Sequence, residues 1–304
     1  MEEKRMIKVT VDGAEYAYPQ GTPYRTIAAD FQDRYPCDIL LVNRDGKLCE
    51  LHKVLDRDCA LRMVTAQDKP GIQTYERSAV FLMLKAFYDV AGRENVERVS
   101  VEYSLSSAIF ILAKGGFMLD QALLDRVEAR MRELSAAAKP IEKQSISTDD
   151  AVELFRQAGL VHKAQLLSFR INSRVNVYSL DGFVDYFYGY MVPDTSYIRC
   201  FGLELYENGF VLRLPTQRDP NRLGDFRPSH KVFQELGQST LRSRALNASN
   251  VAELNTAIAQ GGATPLILAH EAMMEKKIGD IAEEIAGRKD VRFVMIAGPS
   301  SSGK

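Results

Sequence analysis

Apolar and polar residues alternate at the start of the chain, and this pattern restricts the segment up to Ala66 to a small sheet. Ile7, Val9 and Val11 occupy every second position, which is the period of a strand with one buried face. Asp12-Gly13 follows them and is typical of a tight hairpin turn. Similar signals predict strands at residues 7–11, 15–18, 39–42, 47–51 and 61–64, and a helix at residues 26–35. Two strands, a helix and then further strands, in this order, predict a β-grasp fold.

The middle of the chain mixes long helices with strands. Residues 75–90 form an apolar-rich run that predicts a helix, and Asp120 is placed to cap a second helix. Thr148, Asp149 and Asp150 open a third helix, which is predicted to end at Gly159. Further strands are predicted at residues 175–180 and in a hairpin at 198–214. Together with the first segment, this pattern predicts an α+β protein.

Helices dominate the last part of the sequence. Residues 216–229 are polar and interrupted by Pro and Gly, which indicates a boundary. Asn250 and Glu253 have the spacing of a capping box before a helix at 251–260. A longer amphipathic helix is predicted at 267–286.

The sequence ends on Gly298-Pro299-Ser300-Ser301-Ser302-Gly303-Lys304, which has the G-x-x-x-x-G-K spacing of a phosphate-binding loop. Residues 291–297 precede it and are nearly all apolar, so they are predicted to form a buried parallel strand. A strand that leads into such a loop aims backbone N–H groups at a polyphosphate. The alternative is a Gly/Ser-rich turn that matches the pattern by chance, and the apolar run before it favours the phosphate-binding interpretation.

The residues of this loop have predicted roles in binding ATP. Gly298 and Gly303 allow the backbone to approach the phosphates closely, and the three serines are small enough to line the turn. Pro299 has no N–H, so the amides of residues 301–304 would supply most of the donors. Lys304 would place its ammonium on the β- and γ-phosphates and act in catalysis. The residue that holds Mg²⁺ is expected beyond Lys304, so the chain is predicted to be an inactive fragment, and no metal ligand is assigned within it.

Composition and charge narrow the classes of function. Apolar residues make up 46% and charged residues 26%, as in an ordinary globular protein. Lys and Arg number 39 against 40 Asp and Glu, so no excess of charge draws the chain to RNA or to anionic lipid. No stretch is long enough to span a membrane, and the polar N-terminus is not a signal peptide. The cysteines form no CxxC pair and the histidines no metal-binding spacing, so we expect a cytoplasmic protein with reduced thiols and no zinc site.

Two stretches resemble parts of aminoacyl-tRNA synthetases. The strings I-K-V-T-V-D-G (7–13), Y-P-Q-G-T (18–22) and V-N-R-D-G-K-L (42–48) make residues 1–67 similar to a TGS domain, the ubiquitin-like module at the start of threonyl-tRNA synthetases. Residues 68–215 resemble the second additional domain of threonyl- and alanyl-tRNA synthetases. In those enzymes this domain hydrolyses mischarged tRNA.

The residues that this resemblance assigns to hydrolysis are replaced. The family has an HxxxH pair and a C-x-x-x-H pair, and the matching positions here are Arg77, Phe81, Phe187 and Met191. Phe and Met can neither shuttle a proton nor hold a metal-activated water, so we expect no hydrolysis. Two interpretations remain: a pocket reused for an apolar or planar ligand, or an old cleft filled by aromatic core, which is the commoner fate of buried aromatic residues.

The order of these segments and the terminal loop resembles bacterial uridine kinase-like proteins. Residues 216–304 would then be linker helices and the start of a P-loop kinase domain, with 291–297 as its first strand. The resemblance implies that a longer parent protein transfers the γ-phosphoryl of ATP to the hydroxyl of a nucleoside with Mg²⁺. The alternative is a regulatory module, derived from a threonyl-tRNA synthetase, that binds RNA or a small ligand. A residual deacylase is a third possibility, and the pattern does not specify an oligomeric state.

Overall fold

The computed structural model describes residues 5–298 of the chain. Its contacts fall into two units, one that ends at Leu236 and one that begins at Gly237. The first unit contains three sheets and the helices packed on them. The described part of the second unit contains helices and, at residues 291–298, a segment without regular structure.

A five-stranded mixed sheet opens the first unit, in the order β2-β1-β5-β3-β4. Its strands are β1 (Met6–Val11), β2 (Ala14–Pro19), β3 (Ile39–Arg44), β4 (Lys47–Glu50) and β5 (Cys59–Thr65). The β1 and β5 strands are parallel and the other neighbours antiparallel. The alternation at Ile7, Val9 and Val11 places all three side chains in the core at 1% exposure or less.

One helix, α1 (Tyr24–Phe31), packs on this sheet through Ile27, Ala28 and Phe31. It is shorter than the predicted helix at residues 26–35, because the chain tightens into a 3₁₀ turn at Gln32–Arg34 before Pro36. The predicted strands and this helix are present in the predicted order, so the α+β prediction is confirmed for the start of the chain.

A four-stranded antiparallel sheet and two long helices follow. The sheet has the order β11-β12-β7-β6. The elements are α2 (Lys69–Ala91), β6 (Val96–Leu105), β7 (Ala108–Gly115), α3 (Gln121–Ala136), β11 (Gly202–Tyr206) and β12 (Gly209–Arg213). Phe87 of α2 stacks on Phe210 of β12 with 5.8 Å between ring centroids, which joins helix and sheet in one core. The Asp120 cap is confirmed, since its Oδ1 accepts a hydrogen bond from Leu123 N at 2.8 Å.

The third sheet is small and lies with two short helices. It has the order β10-β9-β8, and the elements are β8 (Glu142–Ser147), α4 (Thr148–Gln157), α5 (Val161–Ser168), β9 (Arg174–Leu180) and β10 (Phe183–Tyr186). Phe155 and Leu167 of the helices pack against Val175 and Val177 of β9. The helix predicted to open at residue 148 is confirmed, and Ser147 is its N-cap residue.

Sequence patterns missed the hairpin of β6 and β7. Its turn uses Ser106 at a φ of +55°, where Gly or Asn would have signalled a hairpin. Register shifts between Val96 and Arg98 and between Val101 and Tyr103 interrupt the alternation on β6. Both effects hide the period of two on which strand prediction depends.

Three helices are found toward the end of the described chain: α6 (His230–Ala245), α7 (Val251–Ala259) and α8 (Ala263–Gly287). The capping box is confirmed, since Asn250 Oδ1 accepts from Glu253 N at 2.9 Å. The Glu253 carboxylate reaches back to Ser249 N at 2.8 Å. No helix in the described residues is long and apolar enough to cross a membrane.

The strand predicted at residues 291–297 is not formed, so this prediction is wrong for the structure described here. Residues 291–298 have no regular structure, and Phe293 and Met295 are 90% and 94% exposed. A parallel strand needs neighbouring strands as hydrogen-bond partners. None of the sheets within residues 5–298 includes this segment.

We expect Asp120→Ala to lower the free energy of unfolding by about 1 kcal/mol, because the first turn of α3 loses its side-chain acceptor. Asp120→Asn keeps an acceptor oxygen and should lose much less. Urea denaturation followed by circular dichroism measures both. Equal losses in the two variants would show that the cap does not stabilise α3.

Candidate functional site

The four replaced positions, Arg77, Phe81, Phe187 and Met191, meet at one place in the structure. Arg77 and Phe81 lie one turn apart on the same face of α2. Phe187 and Met191 lie on the segment after β10, and the Phe81 and Phe187 rings meet edge to face with centroids 5.4 Å apart. Arg77 Nη1 donates to the carbonyl oxygen of Tyr190 at 2.7 Å.

Two of these four side chains, Phe81 and Met191, are apolar and buried in the core. Phe81 is 0% exposed and Met191 1%, and the Met191 sulfur lies 3.4 Å from the Ser78 hydroxyl. Neither residue accepts a proton. Among the described residues, no group of three or more His, Cys, Asp or Glu side chains could hold a metal ion.

A cleft of about 630 Å³, which we call the α2 cleft, opens beside the replaced positions. This volume is within the range of small-molecule sites. Its aromatic wall is Phe187, Tyr188 and Tyr190, and its aliphatic wall includes Val80, Val101 and Ile109. The polar residues at the cleft are Gln73, Glu76 and Arg77. Mostly apolar walls with a few polar groups are typical of a ligand pocket.

Arg77 is held against the backbone at Gly189. A Cβ added at Gly189 would lie 2.5 Å from Arg77 Cζ, and the glycine has a φ of +133°. A larger residue would be strained at this φ and would have to displace the Arg77 guanidinium. Gly189 therefore lets the guanidinium lie flat on the segment that forms the aromatic wall.

Glu76 and Arg77 carry opposite charges that are withdrawn from water. Burial raises the pKa of the Glu76 carboxyl and lowers the pKa of the Arg77 guanidinium. Within the part of the chain that the structure describes, neither side chain makes a close ion pair, but each attracts the other electrostatically. The cleft thus presents one cationic and one anionic group, of which Arg77 also donates to the Tyr190 carbonyl oxygen.

A buried carboxylate, Glu50 at the end of β4, holds the segment behind the aromatic wall. Glu50 is 0% exposed, and its Oε1 accepts from Tyr178 OH at 2.8 Å and from Met191 N at 3.1 Å. Its Oε2 accepts from Lys143 Nζ at 2.8 Å. Tyr178 OH also lies 2.7 Å from the Gly189 carbonyl oxygen. We call this set the Glu50 network, and it joins the first sheet to the α2 cleft.

Sequence reasoning found the four replaced positions but missed the Glu50 network. The only local signal was an acidic residue between Cys49 and Leu51 in a predicted strand. Its partners lie far along the chain, at positions 143, 178 and 191. Nothing in the spacing of the sequence connects them.

A larger cleft of about 890 Å³ lies elsewhere in the first unit and is a weaker candidate. Two of its three arginines are already neutralised: Arg199 pairs with Asp38, and Arg132 pairs with Glu128 at 2.6 Å, while Arg25 is exposed to solvent. A charged ligand would have to compete with these pairs. The α2 cleft imposes no such competition.

The predicted ATP-binding residues fall almost entirely outside the described residues. Gly298 is described and follows the segment that forms no strand. The remaining members are Pro299, Ser300, Ser301, Ser302, Gly303 and Lys304. Their roles therefore stay predictions.

Comparison with curated proteins gives threonine–tRNA ligases as relatives. The chain is 24% identical over 200 residues to the ligase of Parabacteroides distasonis and 28% identical over 201 residues to that of Thermotoga neapolitana. These matches cover 64% and 65% of the chain and 30% of each ligase. The ligase of Paraburkholderia xenovorans is 29% identical over 168 residues, or 52% of the chain and 25% of the ligase.

The chain therefore matches less than a third of the length of these relatives. No family model matches it. The similarity to threonine–tRNA ligases agrees with the resemblance noted in the sequence.

We expect Glu50→Ala to lower the free energy of unfolding by about 3–5 kcal/mol, because it leaves the Lys143 ammonium without its buried partner. Glu50→Gln keeps an acceptor for Tyr178 and should lose less. Lys139→Ala, which breaks a half-exposed pair with Asp181, serves as the control and should change stability little. Urea denaturation measures all three variants. A loss for Glu50→Ala no larger than the control would show that the network does not join the two regions.

Proposed function

We propose that the chain carries an N-terminal module derived from a threonyl-tRNA synthetase, in which a former hydrolytic site binds a small ligand without cleaving it. The proposal assigns residues 1–67 to a TGS-like domain and residues 68–215 to an editing-like domain. The sheet order β2-β1-β5-β3-β4 with one packed helix supports the first assignment. The similarity to threonine–tRNA ligases supports both.

One observation carries the proposal: the four replaced positions converge beside a cleft. Were the old site only scaffold, its cleft would be filled. Instead, Phe81 and Met191 are buried beneath, while Arg77 and Phe187 line an open cleft of about 630 Å³. The hydrolytic groups are gone, and a pocket with binding chemistry is present.

A small ligand suits this site better than RNA. The chain has a net charge of −1, and high affinity for RNA depends on many Lys and Arg contacts to phosphate. Apolar and aromatic side chains make up most of the α2 cleft. Salt-sensitive retention of tRNA on a filter at micromolar protein would favour an RNA-binding module instead.

The chain lacks tryptophan, so Phe187→Trp gives a single fluorescent reporter at the aromatic wall. We expect planar or apolar small molecules to quench or shift its emission in a saturable way. Phe169→Trp, at an exposed position that does not line the cleft, should show no saturable change. If no member of a broad set of nucleosides, aromatic acids and amino acids affects the first reporter, the small-ligand proposal fails.

Absence of hydrolysis is the second test of the same proposal. Incubation with mischarged seryl-tRNA should release no amino acid above the spontaneous rate, because Phe81 and Met191 supply no base or metal ligand. Release that scales with protein concentration would revive the deacylase interpretation.

A second proposal concerns the terminal loop and rests on the sequence motif G-P-S-S-S-G-K alone. We propose that a longer parent protein is a nucleoside kinase that uses ATP and Mg²⁺. Gly298, Gly303 and the backbone between them would cradle the phosphates, and Lys304 would neutralise charge during transfer. The similarity to threonine–tRNA ligases bears on the module and does not address this reaction.

In a version of the protein that continues past residue 304, Lys304→Ala should reduce phosphoryl transfer from ATP to uridine by about a thousandfold or more, because the phosphates lose their ammonium partner. Lys289→Ala, an exposed position just upstream, should leave the rate unchanged. Transfer is measured with γ-labelled ATP. Equal rates in the two variants would contradict the loop assignment.

A further inference from the structure

We propose that the α2 cleft is a receptor for a free aromatic α-amino acid, whose carboxylate binds Arg77, whose ammonium binds Glu76 and whose ring lies on the aromatic wall. This inference rests on the proposed binding function and names the class of ligand. It follows from the pairing of charges at the cleft and from the nature of its walls.

The two charged side chains at the cleft determine which polar groups the ligand needs. Arg77 and Glu76 both line the cleft, attract each other, and make no close ion pair with any side chain among residues 5–298. A charge that is partly removed from water needs a partner to offset its lost hydration. A ligand with only a carboxylate would leave Glu76 unsatisfied, and an amine alone would leave Arg77 unsatisfied. A zwitterion satisfies both.

The geometry at Arg77 suits a carboxylate. One guanidinium nitrogen, Nη1, is fixed by the Tyr190 carbonyl oxygen at 2.7 Å, and the backbone of Gly189 supports the guanidinium plane. The other donors of the fork remain for a planar acceptor. Because the side chain is held in place before the ligand arrives, little rotamer entropy is lost on binding.

The side chains that line the cleft determine which non-polar part of a ligand it can accept. Phe187, Tyr188 and Tyr190 form one side of the cleft, and Val80, Val101 and Ile109 contribute to its lining. Tyr188 is 84% exposed, so it leaves a large apolar face in water that a flat ring could cover. An aromatic ring fits between such walls better than a polar body does.

The first arm of the test varies the ligand and leaves the protein unaltered. Isothermal titration calorimetry should show saturable binding of L-phenylalanine or L-tyrosine. 3-Phenylpropionate lacks the ammonium and 2-phenylethylamine lacks the carboxylate, and each should bind about tenfold or more weakly, the loss of one charge-assisted contact. Glycine, which has no ring, should show no binding at the same concentration.

The second arm varies the two charged side chains. Arg77→Met should weaken the binding of L-phenylalanine by about tenfold or more and leave the binding of 2-phenylethylamine unchanged, because only the carboxylate contact is lost. Glu76→Gln should weaken the binding of L-phenylalanine and leave the binding of 3-phenylpropionate unchanged. Arg126→Met, an exposed position on α3, is the matched control for loss of a guanidinium and should bind L-phenylalanine like the unaltered protein.

The outcomes separate this inference from the broader proposal. If L-phenylalanine and its two analogues bind equally, or if Arg77→Met and Glu76→Gln leave the discrimination intact, the amino-acid assignment is overturned. If aromatic amino acids do not bind while another class of compound gives a saturable change in the Phe187→Trp emission, the proposed ligand class is wrong and the proposed binding function is retained. If no compound acts on that reporter, both fail. Since the first arm uses the unaltered protein, a variant that does not fold cannot mask the result.

Discussion

The arrangement of the first unit depends on one buried carboxylate. Glu50 belongs to the first sheet, yet its carboxylate accepts its hydrogen bonds from the region that carries the α2 cleft: from Lys143, Tyr178 and the backbone of Met191. His52, which follows Glu50 closely in sequence, lies 3.8 Å from the same carboxylate. A carboxylate at 0% exposure is tolerated only when its oxygens are satisfied. Separation of the two regions would therefore expose this carboxylate to water or leave it without its hydrogen-bond donors. The small sheet is in this way part of the structure of the cleft.

This constraint reaches the cleft through a short stretch of backbone. Tyr178 and Glu50 fix the segment at Gly189 and Met191, and the same segment supplies the surface and the carbonyl oxygen that hold Arg77. A change in the first sheet would move the guanidinium by moving its support. The position of the charge at the cleft is thus set by contacts made on the far side of the wall, which is how a preformed site is usually held.

Features set by local periodicity were predictable from the sequence. Ile7, Val9 and Val11 alternate, and Asp120 precedes an apolar helical face, so the first strand and the cap of α3 follow from neighbouring residues alone. The hairpin at Ser106 was missed, because its turn uses no Gly or Asn. Residues 291–297 form no strand, although they are mostly apolar. An apolar run predicts a parallel strand only where neighbouring strands exist, and composition does not reveal them. The candidate site was also only partly predictable. The resemblance located the four replaced positions. Glu50 and the open cleft were missed, because they depend on contacts between residues more than 90 positions apart in sequence.

The contrast between the two clefts shows why unsatisfied charge is more informative here than size. In the larger cleft, Asp38 and Glu128 neutralise Arg199 and Arg132, and the third arginine, Arg25, is exposed and hydrated. At the α2 cleft, Glu76 and Arg77 are partly buried and make no close ion pair in the described chain, although they attract each other and Arg77 donates to the Tyr190 carbonyl oxygen. A partly buried charged side chain that has no close ion pair within the fold is best explained by a ligand that binds to it. Under the proposed function, a fixed guanidinium and an aromatic wall suit this site to holding a ligand rather than cleaving one.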